Sequence, residues 1–262
     1  MLFQRLLTAA IGVPLIGLAV WLGSYWLVVS VAVIAVLGTW EFHKLISSIV
    51  TTPPLALSVA IVIGLILTSQ WSDEYLLIFV GIAVVTSLTW HTLQKIRTKI
   101  YRFHFLGLAG PFYIGVPLSL AILIRDTVDG RDWLLTALLI TFSIDTAAYS
   151  VGRLIGKRKL APWISPGKTW EGVVGALLAG EVVAIGLTLI LELPIDLWMA
   201  SLFGILLVIA AILGDLTESW LKRSAGAKDS GTLIPGHGGV LDRTDSAIAT
   251  LVITYFWVMW AV

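Results

Sequence analysis

The run ILLVIAAILGDLTESWLKR, residues 205–223, decides the fold of this chain. Its first ten residues are apolar or glycine, as in a helix that crosses a bilayer, whereas its last nine carry two carboxylates and two cations. A carboxylate at membrane depth costs about 2.5–3.5 kcal/mol on insertion scales, so it usually faces a protein interior, a water-filled cavity or a partner ion. The run therefore predicts a membrane helix that ends in a polar site.

Composition places the whole chain in the same class. Of its 262 residues, 58% are hydrophobic and only 13% are charged, against about 25% charged residues in soluble domains. The formal net charge of +1 gives no support to nucleic-acid binding. The sequence contains no cysteine, which excludes disulfides, thiolate metal sites and cysteine nucleophiles. We predict an all-α, polytopic integral membrane protein.

Nine apolar runs have about the length needed to cross the hydrocarbon layer, which takes about 17–25 residues of helix. They are too long and too uniformly apolar for barrel strands, so we predict helices. The runs cover residues 6–22, 25–40, 54–71, 75–93, 105–124, 133–152, 171–191, 198–221 and 244–262.

The distribution of Lys and Arg predicts the orientation of these helices. With the N-terminus in the cytoplasm, 15 of the 17 basic residues fall on the cytoplasmic side, and only Arg125 and Arg131 fall outside. We divide the chain into N-terminal transmembrane helices, about five in residues 1–132, and a catalytic transmembrane region, residues 133–262. The latter contains two cytoplasmic segments, 153–170 and 222–243.

The second of these segments continues a polar stripe. Asp215, Glu218, Ser219 and Lys222 are spaced for one face of a helix. Asp215 can pair internally with Lys222 or Arg223, or it can belong to a site. The site is favoured because a glycine-rich loop follows, and a second carboxylate pair comes after that loop at i, i+3 spacing: Asp242 and Asp245.

This set of residues suits a polyphosphate bound with Mg²⁺. Carboxylate oxygens are hard ligands for Mg²⁺, and cations neutralise phosphate oxygens. Glycines let the backbone approach an anion, and a helix that begins within residues 240–244 presents free amides to a phosphate. The cations are Lys222, Arg223, Lys228 and Arg243, and the glycines are Gly236, Gly238 and Gly239. A transporter site, by contrast, has its charges near the bilayer midplane.

The loop and its flanks resemble the phosphatidate cytidylyltransferase (CDP-diacylglycerol synthase) family. The family motif, S-x-x-K-R-x(4)-K-D-x(5)-P-x-H-G-G-x-x-D-R-x-D, is filled by Ser219, Lys222, Arg223, Lys228, Asp229, Pro235, His237, Gly238, Gly239, Asp242, Arg243 and Asp245. A second block resembles the family's other cytoplasmic segment and contains Asp145, Tyr149, Arg153, Ser165, Pro166, Lys168, Thr169, Trp170, Glu171 and Gly172. Gly167 departs from it, because some members have Lys there.

The resemblance implies the reaction and its setting. CTP and phosphatidic acid would give CDP-diacylglycerol and pyrophosphate, with Mg²⁺ as cofactor and room for a second, monovalent cation. The implied location is the bacterial inner (cytoplasmic) membrane, with the active site facing the cytoplasm and the chain surrounded by membrane lipids. A homodimer is also implied.

Roles follow as expectations. Asp215 and Asp242 are expected to bind metal, as these positions do in similar members. Asp245 is expected either to be a third metal ligand or to accept a hydrogen bond without contacting the metal directly. The expected phosphate contacts are Lys222, Arg223, Lys228, Arg243 and His237, of which His237 either donates to phosphate or shapes the loop. The expected substrate contacts are Arg153, Ser165, Lys168, Thr169, Ser219, Gly238 and Gly239.

Several assignments stay open at this level. Asp229 either pairs with a neighbouring cation or touches the metal. Asp145 either supports the metal ligands or accepts an internal hydrogen bond. The alternative functions are a CTP-dependent polyprenol or phytol kinase, which has a distantly similar nucleotide region, and a secondary transporter of a phosphorylated solute.

Overall fold

The computed structural model describes residues 2–50, 52–98, 105–234, 236 and 238–261. Within these residues the fold consists of nine α-helices and one small β-hairpin. The helices are α1 Leu2–Leu22, α2 Ser24–Ile46, α3 Leu55–Thr68, α4 Asp73–Thr98, α5 Phe105–Arg125, α6 Gly130–Ile155, α7 Trp170–Ile190, α8 Leu197–Ser224 and α9 Leu241–Ala261. Each coincides with one predicted apolar run, which confirms the all-α class.

Seven of the helices in the described part of the chain are long and apolar enough to cross a membrane. The two shorter apolar helices are Ala10–Leu22, within α1, and Leu55–Thr68, which is α3. The chain is therefore a polytopic integral membrane protein. The predicted count of nine crossings and the cytoplasmic N-terminus stay predictions, because length and composition fix neither.

The hairpin lies between α6 and α7. Its strands, β1 Lys159–Ala161 and β2 Ser165–Thr169, are antiparallel, with Lys159 opposite Thr169 and Ala161 opposite Ser165. Thr169 ends β2 and caps α7, because its Oγ1 accepts a hydrogen bond from the Gly172 amide at 3.1 Å. The hairpin thus fixes the point at which α7 begins.

The chain forms two compact units. The first comprises Met1–Leu123 together with Ser224–Asp242, and the second comprises Ile124–Arg223 together with Arg243–Val262. In the first unit α2 packs against α1 and α3, and α3 packs against α4. The glycine-rich loop, within Ser224–Asp242, thus belongs to the unit of the N-terminal helices. The sequence-based division at residue 132 instead groups this loop with the C-terminal helices.

Close helix packing in the second unit depends on small residues. A methyl group at Gly172 would lie 2.7 Å from the Ala148 carbonyl oxygen, so this glycine lets α7 approach α6. Gly214 has the same function between α8 and α9, since a methyl group there would lie 2.5 Å from the carbonyl oxygen of Asp245. Such small-residue contacts are typical of membrane helices, which lack a hydrophobic force between them. The close approach at Gly214 brings its neighbour Asp215 near Asp245 of α9.

Candidate active site

Asp242 organises the glycine-rich loop in the first compact unit. Its Oδ2 atom accepts hydrogen bonds from the Gly239 amide at 2.8 Å, the Ser230 amide at 2.9 Å and the Ser230 hydroxyl at 3.0 Å. The carboxylate is buried in the first turn of α9. A negative charge at a helix N-terminus is favourable because the first amides have no partner within the helix. The two ends of the loop are therefore held together by one oxygen.

Two of the predicted glycines are required by this arrangement. Gly238 has a φ of 90°, and a methyl group there would lie 2.7 Å from Oδ2 of Asp242. A methyl group on Gly239 would collide with the Ser230 hydroxyl and with Glu41. The backbone therefore wraps the Asp242 carboxylate closely, as the sequence predicts for a loop that approaches an anion, although here the anion is the protein's own.

Glu41 is a residue of this cluster that the sequence analysis does not single out. It lies on α2, its side chain is 0% exposed, and its Oε2 accepts hydrogen bonds from the Leu241 amide at 2.9 Å and the Ser230 hydroxyl at 3.2 Å. The available signal is one carboxylate within an apolar helix, which is costly without a partner. Its partner Leu241 is 200 positions further along the chain, which no local pattern can reveal.

Asp215 is paired in the second unit, but with neither cation that the sequence analysis weighed for it. Its Oδ2 lies 2.8 Å from Nζ of Lys168, which projects from β2. The Ser219 hydroxyl donates to Oδ1 at 3.2 Å, so the predicted i, i+4 neighbours do share a face of α8. Lys168 also donates to the Ile212 carbonyl at 3.4 Å. Lys168 of the hairpin is thus the cation that pairs with Asp215 of α8.

Two further carboxylates, Asp145 and Asp245, interact with the Asp215 of this ion pair. Asp215 interacts electrostatically with Asp145 of α6 and with Asp245 of α9, and these two also interact with each other. The Ser246 hydroxyl donates to Asp145 at 3.2 Å. Like charges repel one another, and the ion pair with Lys168 offsets part of this repulsion at Asp215. Lys168 and Arg243 exert opposing attraction on Asp145, as Lys222 does on Asp245.

The remaining cations of α8 also have protein partners. Lys222 lies 2.6 Å from Glu218, one helical turn earlier, and that carboxylate is 0% exposed. Arg223 is exposed, and its Nε donates to the Ile164 carbonyl in the hairpin turn at 3.2 Å. Lys222 therefore offsets a buried charge in addition to any role toward substrate.

The block between α6 and α7 is held by Glu171. Its carboxylate accepts hydrogen bonds from the Lys157 amide at 3.0 Å and the Arg158 amide at 3.2 Å, so it fixes the entry into the hairpin. Arg153 is exposed and donates to the Tyr149 hydroxyl at 2.8 Å. Ser165 is half-buried at the start of β2. Thr169 is buried and uses its hydroxyl oxygen as the cap of α7.

Other predicted site residues are exposed or lie outside the described residues. Lys228, Asp229 and Arg243 have exposed side chains. His237 and Pro235 lie outside the described residues, so the expected roles of His237 stay predictions. Convergence of Asp215 with Asp242, which the predicted metal site requires, also stays a prediction.

The acidic side chains of these clusters are of the chemical type that binds divalent cations. Within the described part of the chain, no group of three or more His, Asp or Glu side chains is placed so that it could hold a metal ion. Asp145, Asp215 and Asp245 nevertheless present mutually repelling carboxylate oxygens, the ligands that Mg²⁺ prefers. Oδ2 of Asp242 already accepts three hydrogen bonds.

The fold and these clusters define an integral membrane protein that carries clusters of carboxylates and cations on its helices. A family model described as "Cytidylyltransferase family" matches residues 3–261. The chain belongs to this cytidylyltransferase family.

Individual relatives agree with the family match. The chain is 34% identical over 292 residues to the phosphatidate cytidylyltransferase of Haemophilus influenzae, with 98% of this chain and 99% of that protein covered. It is 42% identical over 154 residues to the Staphylococcus haemolyticus protein of the same name, covering 57% of this chain and 58% of that one. The Bacillus subtilis phosphatidate cytidylyltransferase is 40% identical over 175 residues, covering 66% of this chain and 65% of that one.

Proposed function

We propose that this protein transfers the cytidylyl group of CTP to phosphatidic acid, which yields CDP-diacylglycerol and pyrophosphate. The observation that carries the proposal is the ion pair of Asp215 with Lys168, in electrostatic contact with Asp145 and Asp245, in a chain that belongs to the cytidylyltransferase family. The H. influenzae relative, aligned over nearly its whole length, supports phosphatidate as the acceptor.

The chemistry requires no nucleophilic side chain. A phosphate monoester has a second pKa of about 6, so the lipid phosphate is largely a dianion at neutral pH. One of its oxygens forms a bond to the α-phosphorus of CTP, and the bond from that phosphorus to the β-phosphate oxygen breaks. Pyrophosphate leaves with the electron pair. Catalysis then consists of positioning and charge neutralisation.

In this proposal the carboxylates bind metal and the cations contact phosphate oxygens. We assign the metal site to Asp215, Asp242 and Asp245, with Asp145 as the carboxylate that interacts with two of them. Bound Mg²⁺ supplies neutralisation of triphosphate charge, and a second, monovalent cation is part of the proposal. The side chains proposed for the triphosphate and the departing pyrophosphate are Lys222, Arg223, Lys228, Arg243 and His237, with Asp229 among the catalytic set.

The remaining assignments concern the substrates. Lys168 is exposed enough to contact a phosphate oxygen while it pairs with Asp215, since about a fifth of its side chain is accessible (21%). We place Arg153, Ser165, Thr169 and Ser219 in the same role, and the amides of Gly238 and Gly239 near the nucleotide phosphates.

The setting is the inner membrane of a bacterium, with the site on the cytoplasmic face and the protein as a homodimer. The asymmetric distribution of Lys and Arg supports the orientation. The homodimer rests on the family resemblance alone.

Radiolabelled CTP tests the proposed reaction. Purified protein is incubated with phosphatidic acid, Mg²⁺ and CTP that carries ³²P at either the α or the γ position, and the lipid fraction is then counted. We expect label in the lipid from the α position only. Label from the γ position would identify a lipid kinase, and label from neither position would refute both enzyme functions.

A further inference from the structure

Glu41 is the most deeply buried acidic contact of the glycine-rich loop, and none of the roles proposed above uses it. It lies on α2, five residues before the helix ends at Ile46, and its side chain is 0% exposed. Removing a carboxylate from water without partners is strongly unfavourable. The hydrogen bonds that Glu41 accepts must therefore offset the cost of its burial.

Those contacts act on the start of α9. Oε2 of Glu41 accepts a hydrogen bond from the Leu241 amide at 2.9 Å. Leu241 is the first residue of α9, and the first amides of a helix have no partner within the helix. Glu41 therefore caps α9 from a different helix, in the position where a carboxylate also interacts favourably with the helix dipole.

The Ser230 hydroxyl lies between the same Oε2 atom of Glu41 and the carboxylate of Asp242. The Ser230 hydroxyl lies 3.2 Å from Oε2 of Glu41 and 3.0 Å from Oδ2 of Asp242. This hydroxyl has a single proton, so it donates to one carboxylate at a time. The orientation of Ser230 thus links the two carboxylates.

The loop backbone is shaped around Glu41. A methyl group at either Gly231 or Gly239 would collide with its carboxylate. Neither glycine has a positive φ, so their lack of a side chain is needed for the close approach and not for the backbone conformation. Gly231 and Gly239, which precede and follow the bridge between Ile234 and Gly238, therefore both fit against one side chain of α2.

We infer that Glu41 is a positioning residue, which holds the glycine-rich loop and the start of α9 so that the Asp242 carboxylate has the geometry needed for nucleotide and Mg²⁺ binding. The catalytic part of this inference rests on the proposed cytidylyl transfer. The structural part, that Glu41 holds residues 230–242, is independent of it.

The test compares Glu41→Gln, Glu41→Ala and Ser230→Ala with a matched control, Glu181→Gln. Glu181 is a partly buried carboxylate on α7, in a different compact unit from the loop. Two quantities are measured in the α-label assay, kcat per folded protein and the Mg²⁺ concentration at half-maximal rate. Deuterium uptake of the peptide that covers residues 230–242 is measured in parallel.

Gln keeps one carbonyl acceptor for the Leu241 amide but loses the charge. We expect Glu41→Gln to raise the half-saturating Mg²⁺ concentration about tenfold, the equivalent of one charge-assisted hydrogen bond. Glu41→Ala should have a larger effect and should increase deuterium uptake in the loop. Adding Ser230→Ala to Glu41→Gln should cause less than the sum of the two effects, because the residues act through one contact. Glu181→Gln should change none of these quantities.

The results separate this inference from the proposed function. Unchanged Mg²⁺ dependence and unchanged uptake in both Glu41 variants would overturn the inference. A fall in the yield of folded protein with unaltered half-saturation would show a role in folding only, and would also overturn it. If wild-type protein transfers no α-label, the proposed function fails, and the uptake measurement alone decides whether Glu41 holds the loop.

Discussion

At the scale of single residues, the carboxylate of Asp242 has an observed role in the glycine-rich loop and a proposed role in metal binding. Oδ2 gathers three hydrogen-bond donors from the glycine-rich loop, while the residue is also proposed to bind Mg²⁺. Its identity as a key position could be predicted because the motif contains it. Its bond to Ser230, twelve positions earlier, could not, since the loop between them has no regular periodicity.

Replacing Asp242 with Asn should remove activity and loosen the loop. Asn keeps one carbonyl oxygen that can accept hydrogen bonds but has no charge, so all three donors of the loop lose their charged acceptor. We expect kcat to fall by about 10²–10³-fold, comparable to the loss of one preorganised electrostatic group in other enzymes. The control is Asp73→Asn, an exposed carboxylate in the first turn of α4. Near-normal turnover in Asp242→Asn would remove this residue from the site.

The pair of Lys168 and Asp215 gives a second prediction. Lys168→Gln leaves Asp215 beside two other carboxylates without its cation, so we expect a lower thermal midpoint in detergent. Adding Asp215→Asn should recover part of that loss, because it removes the repulsion. Since both side chains are partly exposed, the coupling should be only about 0.5–1 kcal/mol. Additive losses in the double variant would contradict the observed pairing.

At the scale of elements, the sequence predicts the helices well and the hairpin not at all. Long apolar runs determine the helices, because backbone groups in lipid must be satisfied within the segment. Strands β1 and β2 have only three and five residues, and β2 contains Pro166 and Gly167, which are unfavourable in strands. The hairpin forms because its ends are fixed by Glu171 and by the Thr169 cap.

The glycine-rich loop offers a test with a matched control. Gly238→Ala should reduce activity strongly, because its φ of 90° is strained for alanine and the new methyl group would meet Oδ2 of Asp242. Gly226→Ala has the backbone strain alone, since its φ is 68° and nothing lies within 4 Å of the added carbon. We expect kcat to fall at least tenfold more in Gly238→Ala. Equal effects in the two variants would show that the contact with Asp242 is unimportant.

At the scale of the whole molecule, the sequence predicts the membrane class and the family, but not the grouping of helices. The loop of residues 224–242 belongs to the compact unit of the N-terminal helices. The reason is visible at Glu41, whose bonds reach Ser230 and Leu241. Contacts between residues so distant in sequence depend on the packing of the whole unit, which apolar runs and charge counts do not encode.

The absence of cysteine from the sequence makes the orientation directly measurable. Val128→Cys lies in the exposed link between α5 and α6, and Lys159→Cys lies in β1. With a membrane-impermeant maleimide, we expect intact cells to label position 128, whereas position 159 should react only after permeabilisation. The reverse pattern would invert the predicted topology and move the proposed site to the outer face.

The central claim is that the cytidylyl group passes directly from CTP to the lipid phosphate, with no covalent intermediate on the protein. The most direct measurement uses CTP that carries one sulfur in place of an oxygen at the α-phosphorus, as a single stereoisomer, and determines the configuration of that phosphorus in the lipid product. A single in-line displacement predicts inversion. Retention of configuration would require two displacements through a nucleophile of the protein, and would contradict this account.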